Sequence, residues 1–189
     1  MTLDRADAFI SETIRWETAG DRTGAYTNDP HDSGGETKWG ISKNAHPDLD
    51  IKELTYKQAV EIYKKEYYNP LFNLIMSENI AFKVFDMGVL SGQRTSIKML
   101  QQTIRDLGGL TIAKDGMLGP LTLTAMHMVI GKVGETKFLN QLMLNFVRRA
   151  ERIVLFKPWN RKYLKGWMNR IVFLFKNPDL KEGVVNEKS

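Results

Sequence analysis

The stretch ETAGDRTGAYTNDPHDSGGETKWGIS, Glu17 to Ser42, interrupts a chain whose patterning is otherwise helical. It opens on a carboxylate, runs through a loop dense in Asp and Gly, and ends in a double glycine and a short polar segment. Loops of this length without secondary structure of their own are uncommon in compact domains and are often functional. Just before it, Leu3, Ala6, Phe9, Ile10, Thr13, Ile14 and Glu17 recur at intervals of three and four, which predicts an amphipathic helix over 3–17. Glu17 falls on the apolar stripe, so its carboxyl is expected on the buried side of the helix end, beside Ile14 and Trp16. After the loop, Thr37 to Ser42 reads as a strand, with Gly34 and Gly35 as the tight turn feeding it.

Outward from this stretch the chain reads as mostly helix. Thr55 with Gln58 makes a capping box, and Ala59, Val60, Ile62, Tyr63 and Tyr67 continue a helix that must stop before Pro70. Further helices are expected at about 78–90, 93–107, 120–131, 135–156 and 161–175. The turn AKDGMLGP separates two of them, and Pro120 suits the first position of a helix. The fold class expected is α+β, mainly α-helical. A catalytic lobe over 1–72, a helical lobe over 73–176 and a polar tail over 177–189 are the expected divisions.

Composition removes many functions. A chain of 189 residues, 42% hydrophobic, can bury a core unaided. It has no cysteine, which excludes disulfides, thiolate nucleophiles and Cys-ligated zinc. No apolar run is long enough to span a bilayer, and Met1 to Ile10 lacks the basic and apolar regions of a signal peptide. The expectation is synthesis in the cytoplasm without a signal peptide, with no stable membrane insertion, as a monomer. The net charge of +5 is unevenly spread. Residues 1–40 hold eight acids against four bases, whereas 137–176 hold ten bases against Glu151 alone. This suggests chemistry near the first end and attraction to a polyanion near the second. Nucleic acid would suit the basic end but leaves the loop unexplained.

The histidines His31, His46 and His127 show no metal-ligand spacing, no Gly-x-Ser-x-Gly elbow exists, and phosphate-cradling Gly-rich motifs are absent. No cofactor or metal is implied. What remains is a concentration of carboxylates: Glu17, Asp21, Asp29, Asp32 and Glu36. Carboxylate pairs are the apparatus of glycoside hydrolysis, one protonating the leaving oxygen while a better solvated partner stabilises the oxocarbenium-like transition state or activates water. Glu17 has the expected apolar setting; Asp29 and Asp32 have the polar one.

YTNDPHDSGGETKWGIS resembles the signature of glycoside hydrolase family 108, the N-acetylmuramidases, and LTYKQAVEIYKKEYYNPL is similar to the helix that follows there. VFDMGVLSGQ, LQQTI, KDGMLGPLTLTAM and KYLKGWMNR resemble the accompanying peptidoglycan-binding region, so the likeness runs from about Phe9 to Arg170. The resemblance implies a lysozyme-like fold, with a small N-terminal β-hairpin and a helical C-terminal lobe. It also implies hydrolysis of the bond between N-acetylmuramic acid and N-acetylglucosamine. By residue it implies Glu17 as general acid, Asp32 as base and Thr37 as the group positioning water. It places Tyr26, Asp29, Gly34, Gly35 and Lys38 at the substrate.

Glu17 is followed by Thr18-Ala19-Gly20 where the family has Gly-Gly, and the intervening AGDRTGA lengthens the loop. Asp29, and more distantly Asp21, therefore rival Asp32 as the second carboxylate. The partner implied is peptidoglycan, in the periplasm or cell wall. A holin would carry out export if the role is phage lysis, with bacterial protein or toxin secretion as the other setting. A stem-peptide peptidase and a non-catalytic wall-binding module are the rival functions. Trp39 and Trp159 are expected in the core, Asp86 as a buried hydrogen-bonded acid, Gly166 and Trp167 packing the last helix, and His31 in a solvated turn.

Overall fold

The computed structural model describes residues 4–18, 20, 24–28 and 35–176. Among them are seven α-helices and one two-stranded antiparallel sheet, the mainly helical α+β architecture expected. They fall into two compact units, the described residues up to 66 together with 175 and 176, and residues 67–174.

The first unit holds α1 (Arg5–Glu17), the hairpin β1 (Thr37–Lys38) and β2 (Ile41–Ser42), and α2 (Tyr56–Tyr67), whose last residue opens the second unit. Its buried apolar residues include Phe9, Ile10, Ile14, Ile41, Ile51, Leu54 and Ala59, and Phe175 returns to set its ring edge-on to Phe9 at 5.0 Å between centroids. The capping box at the start of α2 forms in both directions: Thr55 N–H donates to Gln58 Oε1 at 2.9 Å, and Gln58 N–H to Thr55 Oγ1 at 3.3 Å. Lys64 of α2 donates to Asp7 of α1 at 2.9 Å, which holds the lysine above its usual range and ties the two helices at the surface.

The expected continuous strand over 37–42 is instead two strands of two residues, paired Thr37 with Ser42 and Lys38 with Ile41. Trp39 and Gly40, with φ of 55° and 78°, make the connection. Two successive positive φ values define the tight turn whose twist matches paired strands. The turn thus sits two residues beyond the strand's expected start, where periodicity alone sees only an extended run.

The second unit contains α3 (Glu78–Ser91), α4 (Gln93–Gly108), α5 (Pro120–Val133), α6 (Glu135–Phe156) and α7 (Leu164–Val172), with short 3-10 turns at Pro70–Leu74 and Pro158–Tyr163. The last helix is shorter than the expected 161–175: it is preceded by the 3-10 turn and stops before Phe173. Every residue of α3 from Ile80 to Gly88 is buried, as expected of a helix apolar on most faces. α3 packs on α4, α4 on α5 and α6, and α6 on α7. The AKDGMLGP turn is gathered on the buried amide of Gln101, whose Nε2 donates to Asp115 Oδ1 at 2.7 Å and whose Oε1 accepts from Gly116 N–H at 2.9 Å. Gly166 is exposed, with nothing near its Cβ position, so it does not pack α7 as expected.

Two polar residues one turn apart on α3 hold α7. Asp86, fully buried, accepts from Arg170 Nε at 2.9 Å and Nη2 at 2.8 Å, the two-pronged geometry that suits guanidinium and carboxylate. Asp86 is thus the buried acid anticipated. Lys83 Nζ donates to the carbonyls of Arg170 and Phe173, both at 2.8 Å, capping the C-terminal end of α7, where carbonyls lack helical partners. Burial pushes the Lys83 ammonium down to about 8, the nearby Asp86 charge opposing that shift and Arg170 adding to it.

Replacing Asp86 with Ala should leave Arg170 buried without its carboxylate partner and cost ~3–5 kcal/mol in urea unfolding. For Lys83, the unfolded chain binds the proton more tightly than the folded one between pH 8 and about 10.5. Its cost is therefore present in full below pH 8 and relieved as pH rises through that window. The stability of wild type relative to Lys83→Met should accordingly increase on the order of 3 kcal/mol from pH 7.5 to 10.5, read by denaturation at each pH.

Candidate active site

α1 ends at Glu17 through two devices in the residues after it. Thr18 N–H and Oγ1 both reach the Ile14 carbonyl at 2.9 Å. Gly20 N–H then donates to the Arg15 carbonyl at 2.8 Å with φ of 88°, the wrap-around bond that closes many helix C-termini. Thr18 and Gly20 thus close the helix in their own way at the position where Gly-Gly follows the Glu in the resembled motif.

Glu17 is exposed, which corrects the expected apolar setting. The buried stripe of α1 stops at Ile14, and Trp16 is only half-buried. What lies beside Glu17 is backbone. A Cβ placed on Gly40 would stand 2.9 Å from Glu17 Cβ and 2.5 Å from the Tyr63 hydroxyl, and Gly40 also needs a positive φ. Only glycine satisfies both conditions at low cost. The hairpin turn, the end of α1 and the middle of α2 therefore meet at one point.

The hairpin is fixed there by Trp39, which is buried as expected. Its Nε1 donates to the Leu54 carbonyl at 3.3 Å, and its ring meets Tyr56 edge-on at 5.1 Å. Gly24 lies so close to the same ring that a Cβ there would overlap it at 2.1 Å. Tyr63, 2% exposed, donates its hydroxyl to the Trp39 carbonyl at 3.3 Å. Thr27 and Thr37 exchange backbone hydrogen bonds of 2.9 and 2.8 Å, an isolated antiparallel bridge that ties Thr27 to the hairpin.

Of the residues expected to act, Glu17 and Thr37 are therefore carried by α1 and by the hairpin that meets its end. Thr37 Oγ1 donates to the Gly35 carbonyl at 3.2 Å. Lys38 Nζ donates to the Lys52 carbonyl at 2.7 Å. Tyr26 precedes the Thr27 bridge, and its hydroxyl is held above the usual range by desolvation and then by its hydrogen bond with Glu36. Asp21, Asp29, His31, Asp32 and Gly34 lie outside the described residues. Trp159, expected in the core, is 69% exposed, because its short 3-10 turn buries none of its side chains. Tyr63 and Gly40 escaped the sequence reading as site-forming residues. The signal available was a tyrosine in the buried stripe of α2, whose hydroxyl needed a partner. Among the described residues no three His, Asp or Glu side chains are grouped to hold a metal.

Gly40→Ala should destabilise the first unit by more than the ~1–2 kcal/mol cost of a left-handed non-glycine residue, since the added methyl also overlaps Tyr63 and Glu17. Tyr63→Phe in the same background should recover part of that loss by removing the nearest atom. Thermal melts of the three proteins check both expectations.

Residues 11–92 match the glycosyl hydrolase 108 family, and residues 95–172 match the predicted peptidoglycan domain. The solved structure of Brucella abortus SagA is similar in fold, with a TM-score of 0.55 at 20% identity over 86% of this chain and 92% of that one. No curated protein matches the chain in sequence. The fold is the lysozyme-like α+β arrangement expected. A glycosyl hydrolase 108 segment carrying the α1 end with its carboxylate is thus followed in this chain by a predicted peptidoglycan domain, and the chain is a glycoside hydrolase acting on peptidoglycan.

Proposed function

We propose that the chain cleaves the β-1,4 bond between N-acetylmuramic acid and N-acetylglucosamine, with Glu17 as general acid, Asp32 as base and Thr37 positioning water. The observation that carries this reading is the placement of Glu17: an exposed carboxyl on a fixed helix end, with the hairpin bearing Thr37 pressed against it at Gly40. A proton donor must reach the glycosidic oxygen of a polymer, which an exposed helix terminus allows, and it must be held in register with the second group. Tyr26, Asp29, Gly34, Gly35 and Lys38 are assigned to the sugar chain. In this reading catalysis resides in 1–72 and wall binding in 73–176, and opening glycan strands serves cell lysis or passage of protein or toxin through the wall. Peptidoglycan is the partner, and the basic residues of 137–176 suit its anionic character.

Glu17→Gln keeps the shape of the side chain and removes the proton. On purified peptidoglycan it should reduce product release ~10²–10⁴-fold, while wild type releases reducing muramic ends detectable by mass spectrometry. An active Glu17→Gln protein, or products with new amines instead of reducing ends, would refute the assignment.

A further inference from the structure

The second unit contains a cleft of about 850 Å³ lined only by residues of that unit. One stripe of α6 lines it, with Asn145, Arg149, Arg152 and Phe156 following one another at helical spacing. Its floor is apolar: Met87, Phe146, Ala150 and Ile171 are buried there, and Trp167 adds an indole. Five cations, Lys114, Arg148, Arg149, Arg152 and Lys157, line it against the single acid Asp106.

The acid is organised. Asp106 accepts from Gln102 Nε2 at 2.7 Å, Asn145 Nδ2 at 3.0 Å and Gln141 Nε2 at 3.3 Å. Lys114, which donates to Gln102 Oε1 at 2.9 Å, joins the same network. The base opposite is incomplete. Arg149 Nε is removed from water and has no acceptor among the described residues, a costly state for a guanidinium N–H and one that an entering carboxylate would relieve. An apolar floor with several cations along one helix and one fixed carboxylate fits a short peptide carrying several carboxylates and one amine.

We propose that this cleft binds the stem peptide of peptidoglycan, with Arg149 and Arg152 taking its carboxylates and Asp106 its amine. The proposal rests on the reading of the chain as a peptidoglycan hydrolase and names which part of that polymer the helical unit grips. The glycan is uncharged apart from its peptide and lactyl substituents, so the charge excess of the cleft selects the peptide, not the sugar.

The test uses the full chain and the soluble stem tetrapeptide released from peptidoglycan by an amidase. Calorimetry should show saturable binding by wild type, and at least tenfold weaker binding by Arg149→Gln and by Arg152→Glu. Because Arg152 is exposed, its variant should melt at the wild-type temperature, which keeps the test independent of folding. Both variants should release less product from intact peptidoglycan. No saturable binding, or equal binding by the variants, would overturn the proposal. So would preferential loss of binding to phosphatidylglycerol vesicles, which would assign the cations to a lipid surface. Reducing ends without peptide binding would reject the cleft alone. Peptide binding without reducing ends would support the cleft and reject the muramidase reading.

Discussion

Asp86 and Arg170 are 84 residues apart in the chain, and their buried pairing joins the first helix of the second unit to its last. Burying two charges is costly unless geometry and further hydrogen bonds compensate. Here the guanidinium is bound by both carboxylate oxygens, and Lys83, one turn earlier on α3, closes the end of the helix that carries Arg170. The orientation of α7 is thus set by charge and hydrogen-bond direction as well as by apolar contact, and α7 supplies Trp167 and Ile171 to the cleft. A core of Leu, Ile and Phe tolerates small rotations of a helix; a two-pronged ion pair does not.

The first unit relies on a different constraint, close approach of backbone. Gly40 fits between Glu17 and Tyr63, and Gly24 lies against the ring of Trp39. Trp39 accepts a left-handed conformation that disfavours its own side chain, and its burial, its bond to Leu54 and the Tyr63 hydroxyl on its carbonyl hold it there. The result is that a helix end bearing a carboxyl and a hairpin bearing a hydroxyl are fixed relative to each other by elements with little freedom to shift.

The division by contacts and the division by family likeness do not coincide. The glycosyl hydrolase match extends to residue 92, yet α3, which lies inside it, is the buried helix of the second unit, and the chain crosses from one unit to the other near residue 67. Segment 11–92 therefore contributes both the candidate catalytic residues and a helix around which the wall-binding segment packs. A helix buried on nearly every side cannot keep its apolar surface from water alone, which gives a physical reason for the two segments to occur together.

The sequence by itself determined the helices and their caps, because periodicity, the Thr55–Gln58 box and Pro120 act within a few residues of where they stand. It also narrowed the candidate chemistry near the N-terminus to carboxylates, since the chain has no cysteine and its histidines show no metal-ligand spacing. Only the tertiary structure decided that Glu17 is exposed, that the turn falls at Trp39 and Gly40, and that Gly40 lies close to both Glu17 and Tyr63. Each of these depends on which distant backbone approaches a given atom, and such contacts leave no local pattern. The same holds for the cleft: its α6 cations were visible as part of a basic stretch, but the position of Arg149 and Arg152 beside an apolar floor arises from helix packing.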